Sequence, residues 1–352
     1  MTNPPTPAAI LSARLGRQRL TAPIGRRSGF VGLFKALQPV SPVYFSCPGD
    51  PPRMVHRTTF DDGLVSDGLR RTRTIVKGRF LGGAIGYVLA EDLPECANTF
   101  RKPLARLTAT QEIVWDAVRT AGPLTPRQIK EETGLLNKQI MPALHRLQRA
   151  FLVYEDQTDS DWERAWYDFS AEWPEVELDD RLFEQSAICV LGRFFDAHVF
   201  ATFEQVKYWS QLPSRALAEL IEALADAGRI IPAKVASLGE GWLAQQPRLP
   251  ANLPHAPTVF TLHKADFLVR SHASELKRRF GNDEVLQYLL IDGEFHGAVL
   301  GHWRIGPHDV SDIALTLPTA GRQARRDAIL QAVGRQYHPP RSRILRYDGK
   351  KH

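Results

Sequence analysis

The stretch Thr108–Ser170, TATQEIVWDAVRTAGPLTPRQIKEETGLLNKQIMPALHRLQRAFLVYEDQTDSDWERAWYDFS, decides how the chain folds, because its local signals agree. Thr108 with Gln111 makes a capping box, and Ile113, Val114, Ala117 and Val118 recur at helical spacing until Gly122 stops the helix. Thr125, Pro126 and Gln128 open a second helix that ends at Gly134; Asn137 opens a third whose Ile140, Ala143, Leu144 and Leu147 share one face. Pro142 places the true start of that third helix near Ile140, where a missing N–H falls in the first turn. Beyond Ala150, the apolar runs Phe151–Tyr154 and Ala165–Phe169 flank the polar residues 155–161 in the pattern of a hairpin. Three helices and a hairpin describe a winged helix.

The same pattern returns 77 positions later without a gap. Thr125 falls on Thr202, Gln128 on Gln205, Ile129 on Val206, Leu135 on Leu212, Leu144 on Ile221, Leu147 on Leu224 and Ala150 on Ala227. Both copies then enter an apolar strand, Leu152-Val153-Tyr154 in one and Ile230-Ile231 in the other, and the second wing closes near Trp242-Leu243. The expected architecture is α+β with tandem winged-helix domains. Its parts are an N-terminal helical, winged-helix-like domain over residues 1–103, a winged helix over 104–176, its repeat over 177–250, and a small mixed β-sheet domain with a basic C-terminal helix and tail over 251–352.

At 352 residues and 43% apolar content the chain is long and apolar enough for several small cores. No apolar run approaches the roughly 18 residues that would span a bilayer. Cys47, Cys96 and Cys189 stand far apart with no Cys-x-x-Cys pair, which argues against a disulfide framework or a zinc ribbon and implies a reducing, cytoplasmic setting. The net charge of +6 is unevenly spread: +8 over residues 1–105, −4 over 106–175, −3 over 176–250 and +5 over 251–352. Both repeats are therefore acidic. A winged helix that reads DNA in the usual way carries cations on its third helix and wing. Here Lys138, Arg146 and Arg149 face a wing holding Asp156, Asp159 and Asp161, so the basic surface must come largely from the two ends.

Residues 8–20 read as a helix with one packed face, leaving Arg14, Arg17 and Arg19 in water or against phosphate. A second helix from Phe30 breaks at Pro39, which puts Gln38 at a helix end. Arg70, Arg71, Arg73, Lys77 and Arg79 place five cations in ten residues, a phosphate-contacting stripe or a solvated face. The strand after them contains Gly82, Gly83 and Gly86, which permit close backbone approach but form no dinucleotide fingerprint, and no phosphate-binding loop motif occurs. Pro247, Pro250, Pro254 and Pro257 mark a linker. Past it, strand-like runs surround a short helix from Ser274 to Phe280 bearing Lys277, Arg278 and Arg279, and the last 32 residues carry nine cations, among them Arg325 and Arg326. His296, His302 and His308 recur every six residues, which matches neither a helical face nor a zinc spacing.

This order of parts carries a resemblance. The ARLGRQRL helix (residues 13–20), the Leu37-Gln38 segment, the strand leading into AEDLP (90–94), the repeated units and LLIDGEFHGAVLG (289–301) together resemble, over about residues 10–317, the AlkZ/YcaQ-like winged-helix DNA glycosylases. The resemblance implies hydrolysis of the N-glycosidic bond of N7-alkylated or crosslinked bases in double-stranded DNA, by a nucleoid-associated monomer without cofactor or metal. It places catalysis on a Gln-apolar-Gln or Gln-apolar-Asp triplet that falls on Gln38, Pro39 and Val40, so Gln38 is the expected catalytic residue. Phosphate contacts are expected from Arg70, Arg71, Arg73, Lys77, Arg79, Lys277, Arg278, Arg279, Arg325 and Arg326. Two departures stand out. Val40 cannot hydrogen-bond, and Gly82 and Gly86 stand where many members have Arg and His. Cleavage builds oxocarbenium character on the sugar while a cationic purine leaves readily, so neutral amides suffice to hold the water, and losing one costs on the order of 3 kcal/mol. The alternative is a non-catalytic DNA-binding or transcription-regulating relative.

Overall fold

The computed structural model describes residues 5–43, 50–158, 164–245, 257–304 and 306–352. Cys47, Pro48, Asp159, Asp161, Pro247, Pro250 and Pro254 lie outside these residues. The N-terminal region runs through helices α1 (Pro7–Arg17), α2 (Phe30–Leu37) and α3 (Asp62–Arg71), the antiparallel hairpin β1 (Ile75–Phe80) and β2 (Ala84–Leu89), and α4 (Leu93–Phe100). The first repeated unit comprises α5 (Ala109–Ala121), α6 (Pro126–Thr133), α7 (Asn137–Arg149), β3 (Val153–Glu155), β4 (Trp166–Asp168) and the single turn α8 (Phe169–Glu172). The second comprises α9 (Phe183–His198), β5 (Phe200–Ala201), α10 (Phe203–Ser210), α11 (Ser214–Asp226), β6 (Ile230–Val235) and β7 (Gly239–Ala244). Then come β8 (Val259–Leu262), α12 (Phe267–Ser271), α13 (Ala273–Phe280), β9 (Val285–Ile291), β10 (Glu294–Leu300), β11 (Asp312–Leu315), α14 (Thr319–Gly334) and a small hairpin, β12 (Arg346–Tyr347) with β13 (Lys350–Lys351).

The 77-residue spacing carries over to the elements: α6 and α10, α7 and α11, and β3 and β6 each begin that far apart in sequence. Both capping boxes form, Thr125 with Gln128 and Thr202 with Gln205, so the same orphan N–H groups are satisfied in both copies. Both hairpins gain a third strand as well. In the second copy Ala201 of β5 pairs with Trp242, and in the first the equivalent is a single bridge between Leu124 and Trp166. One expectation fails inside the first copy. Helix α7 starts at Asn137, not near Ile140, and Pro142 sits within it. Lys138, whose carbonyl loses its helical partner, is exposed, so water can serve it.

The first unit has its own core around Val118, Ile129, Leu144 and Trp166. The second shares one large core with the N-terminal region, from Phe30 and Phe34 through Phe80 and Phe100 to Phe194, Trp209 and Phe267. The C-terminal sheet has strand order β11-β10-β9-β8 and every pair is antiparallel, so the expected mixed sheet is corrected. Asp292 and Gly293, with φ of 52° and 92°, close the β9–β10 hairpin in the left-handed turn that suits strand twist. Both faces are covered, by α14 through Ile329 and Val333 and by α1, α12 and α13 through Leu15, Leu268 and Leu276. That is why β9 is apolar on both sides. Gly82 and Gly83 are not inside a strand: with φ of 78° and 94° they make the turn between β1 and β2. Gly86 does lie in β2, and a Cβ there would come within 3.2 Å of Pro39.

Helix α1 departs most from its expected role. Arg14 is 3% exposed and donates to the carbonyls of His198 (2.9 Å) and Phe200 (2.7 Å). Arg17 donates to Asp196 O (2.6 Å) and Gln18 to Ala197 O (3.2 Å). Thus α1 caps the C-terminus of α9, whose last carbonyls have no intrahelical donors and carry the negative end of the helix dipole. Of the three arginines only Arg19 faces solvent.

The capped end also holds His198, fully buried, with Nδ1 2.7 Å from Phe200 O and its ring stacked near His272. Burial holds His198 well below 6.5 and pushes His272 down to about 4, with Arg14 adding to both effects. Folding therefore excludes protons that the unfolded rings accept. The stability involved is whole above pH 6.5 and lost as pH falls towards 4, on the order of 2 kcal/mol by pH 5 from His272 alone. The urea midpoint should be clearly lower at pH 5 than at pH 7; equal midpoints would contradict this account.

Candidate active-site cleft

Helix α2 ends because Pro39 cannot continue it, leaving Gln38 extended at φ −67° and ψ 153°. Gln38 is 4% exposed. Its Oε1 accepts from Leu89 N–H (2.8 Å) and its Nε2 donates to Asp92 Oδ2 (2.7 Å). The other oxygen of Asp92 accepts from Arg193, and Lys35 lies 3.6 Å from the first. The expectation that this amide faces a basic groove is thereby corrected: the carboxylate of the AEDLP turn and the end of β2 take both of its ends. Val40 then pairs with Tyr87 through two backbone hydrogen bonds of 2.9 Å, adding the segment to the edge of β2. Gln38 points inward, while Pro39, Val40 and Ser41 face a cavity.

That cavity lies where the N-terminal region meets α12. It encloses about 30 Å³, room for a water or two, and its wall includes Arg53, Arg57, His263, Asp266 and Arg270. Arg57, 2% exposed, grips Asp266 with two bonds of 2.7 and 3.2 Å. Asp266 also caps α12 by accepting from Leu268 N–H (2.9 Å). Arg53 pairs with Asp61 (3.0 Å) and Asp62 (3.1 Å). Burial pushes His263 down to about 4, so its ring is neutral. Arg53, Met54, Val55 and His263 also wall a larger cleft of about 800 Å³ that runs out between Trp303, His308, Arg335, Tyr337 and Arg341. Arg335 and Arg341 are exposed, and no described carboxylate pairs with either. The arrangement is a cationic, aromatic-rimmed cleft that shares part of its wall with a small cavity beside the glutamine segment.

The sequence model of the AlkZ-like DNA glycosylases matches residues 56–336. The chain belongs to the AlkZ-like DNA glycosylase family. Its fold is similar to that of the Streptomyces sahachiroi DNA glycosylase AlkZ, with a TM-score of 0.68 at 12% identity, over 97% of this chain and 99% of that one. No curated protein sequence matches it.

In this AlkZ-like chain the cations named from sequence do not line the cleft. Lys77 is 4% exposed and lies 2.6 Å from Glu155; Arg70 is 6% exposed and bonds Asp67 at 2.6 Å. Arg79 donates to Gln148 (2.6 Å) and Gly83 O (3.2 Å), and Arg73 pairs with Glu172 among the rings of Tyr154, Tyr167 and Trp173. Arg71 alone of the five is mostly exposed, held by Asp67 at 2.8 Å. The other four are internal staples and not a phosphate stripe, because β1 lies between α3 and the first unit. On α13, Lys277 and Arg278 are exposed, while Arg279 bonds Glu275 and Phe295 O. Arg325 is pinned to Asp292 (2.7 Å) and Arg326 stacks on Tyr347. Sequence reasoning missed Arg53, Arg57, Asp266, Arg270, Arg335 and Arg341. The only local signal among them was Asp266 as a helix-start residue.

Two measurements check this reassignment. Lys77→Met should leave the salt dependence of duplex binding unchanged, whereas a slope flattened by about 0.9 would restore Lys77 as a phosphate contact. Glu155→Gln should cost on the order of 3 kcal/mol in urea unfolding, since it strands buried Lys77 beside Arg164. A loss below about 1 kcal/mol would show that the pair does not matter to the fold.

Proposed function

We propose that this protein binds alkylated duplex DNA across the cleft and hydrolyses the N-glycosidic bond of an N7-alkylated purine, with its two repeated units acting as tandem winged helices. One observation carries the reading: Pro39 and Val40, two residues of the Gln38-Pro39-Val40 triplet on which the family resemblance puts the chemistry, line a cavity together with Asp266 and Arg270, and that cavity shares lining residues with the cationic cleft. An N7-alkylpurine leaves without a general acid. The site then has only to seat the nucleotide, admit one water and answer the positive charge that grows on the sugar. Asp266 is the one carboxylate among the residues of the cavity wall, and Arg57 holds it in place. Gln38, whose amide is spent on Leu89 and Asp92, acts by positioning the segment. This division of labour answers the loss of hydrogen bonding at Val40.

A second reading, lesion binding without excision, draws on the same saturation of Gln38 and on the apolar Val40. Incubating the protein with a duplex bearing one N7-methylguanine and cleaving abasic sites with alkali separates the two. The enzyme reading predicts excision that falls roughly 100-fold in Asp266→Asn and at least roughly tenfold in Gln38→Ala, with duplex affinity retained in Gln38→Ala. Excision by both variants at the original rate would remove these residues from the mechanism. Retained duplex binding with no excision by the unaltered chain would establish the second reading.

A further inference from the structure

Arg270 is the one arginine of the cavity wall without a countercharge. Arg53 has Asp61 and Asp62, and Arg57 has Asp266. Arg270 has no carboxylate within ion-pair distance among the described residues, and its side-chain hydrogen bond goes to a neutral partner, Ser41 Oγ, at 3.1 Å. Its Nε is buried without a partner. The guanidinium is held below its ordinary value by burial, with no neighbouring anion to offset the cost. An uncompensated, largely buried cation is expensive, and an anion that reached it would offset that cost.

The position of Arg270 says where that anion comes from. Helix α12 is anchored on one side by Phe267, packed against Phe194 and Trp209, and at its start by the Asp266 cap, so Arg270 reaches the cavity from a fixed base. Ser41 follows Val40, which β2 holds by two backbone bonds. The cavity is too small for a whole nucleotide, but it shares Arg53, Met54, Val55 and His263 as lining with the cleft rimmed by Arg335 and Arg341. A phosphodiester lying in that cleft can send one oxygen inward.

We propose that Arg270 and the Ser41 hydroxyl form an anion subsite for one backbone phosphate of the DNA strand held in the cleft. The site takes a tetrahedral oxyanion through the planar guanidinium fork, and its occupancy completes the charge balance of the cavity. It rests on the DNA-binding part of the proposed function and is independent of excision.

The test uses the full chain, an undamaged short duplex and, separately, inorganic phosphate. Arg270→Met should weaken duplex binding at low salt by roughly tenfold or more and reduce the log–log salt slope by about 0.9, the loss of one phosphate contact. Without ligand its thermal midpoint should equal or exceed that of the unaltered chain, because an unpaired buried charge has gone; a purely structural arginine would lower it. Inorganic phosphate should raise the midpoint of the unaltered chain and not of Arg270→Met. Arg270→Lys, which keeps the charge, should keep the salt slope and lose only part of the affinity, and it serves if the Met variant does not fold. An unchanged slope in Arg270→Met with duplex still bound overturns the proposal, even if free phosphate binds. Failure of the unaltered chain to bind duplex overturns the proposed function instead, and with it the claim that DNA supplies the phosphate.

Discussion

The buried ion pair between Arg57 and Asp266 is the constraint on which the cleft depends. It joins residues 209 apart in sequence, in a place from which water is nearly excluded. Such pairs seldom add much net stability, because desolvation cancels most of the attraction; what they fix is geometry. Here the geometry is threefold. Arg57 holds the segment before α3 against the C-terminal region, Asp266 starts α12, and α12 then delivers Phe267 into the main core and Arg270 to the cavity.

The same economy runs through the molecule. Several of the cations that make the N-terminal end of the chain look basic are spent inside it. Arg14 and Arg17 cap α9, Lys77 and Arg79 tie β1 to the first repeated unit through Glu155 and Gln148, and Arg73 closes an aromatic box with Glu172. An arginine suits these jobs because its fork satisfies several carbonyls at once while its stem packs like a hydrocarbon. The cations left facing the cleft are fewer and come from distant parts of the chain.

That explains what the sequence could and could not reveal. Capping boxes and core positions are local or periodic, so both repeated units, their hairpins and the helix end at Gln38 were legible. The direction of the C-terminal strands was not, because two helices intervene between β8 and β9 without making the crossover a parallel pair needs. Pro142 misled because an exposed helix face tolerates a proline that a buried one rejects. The environment of Gln38 was not legible: Asp92 lies 54 positions away and Arg193 a further 101, and no local pattern says that they meet. Asp266 and Arg270 form a site only once the chain has folded back on Pro39–Ser41.

The central claim is that DNA lies in the cleft between the N-terminal region and the α12 end of the sheet, not along the hairpins of the repeated units. Hydrogen exchange of the full chain with and without a short duplex bearing N7-methylguanine tests it most directly. Protection on binding should concentrate at residues 50–60, at 263–271 and around Arg335–Arg341, with the hairpins of the repeated units changed less. Protection confined to Val153–Asp168 and Ile230–Ala244, with the cleft residues exchanging as before, would contradict the account.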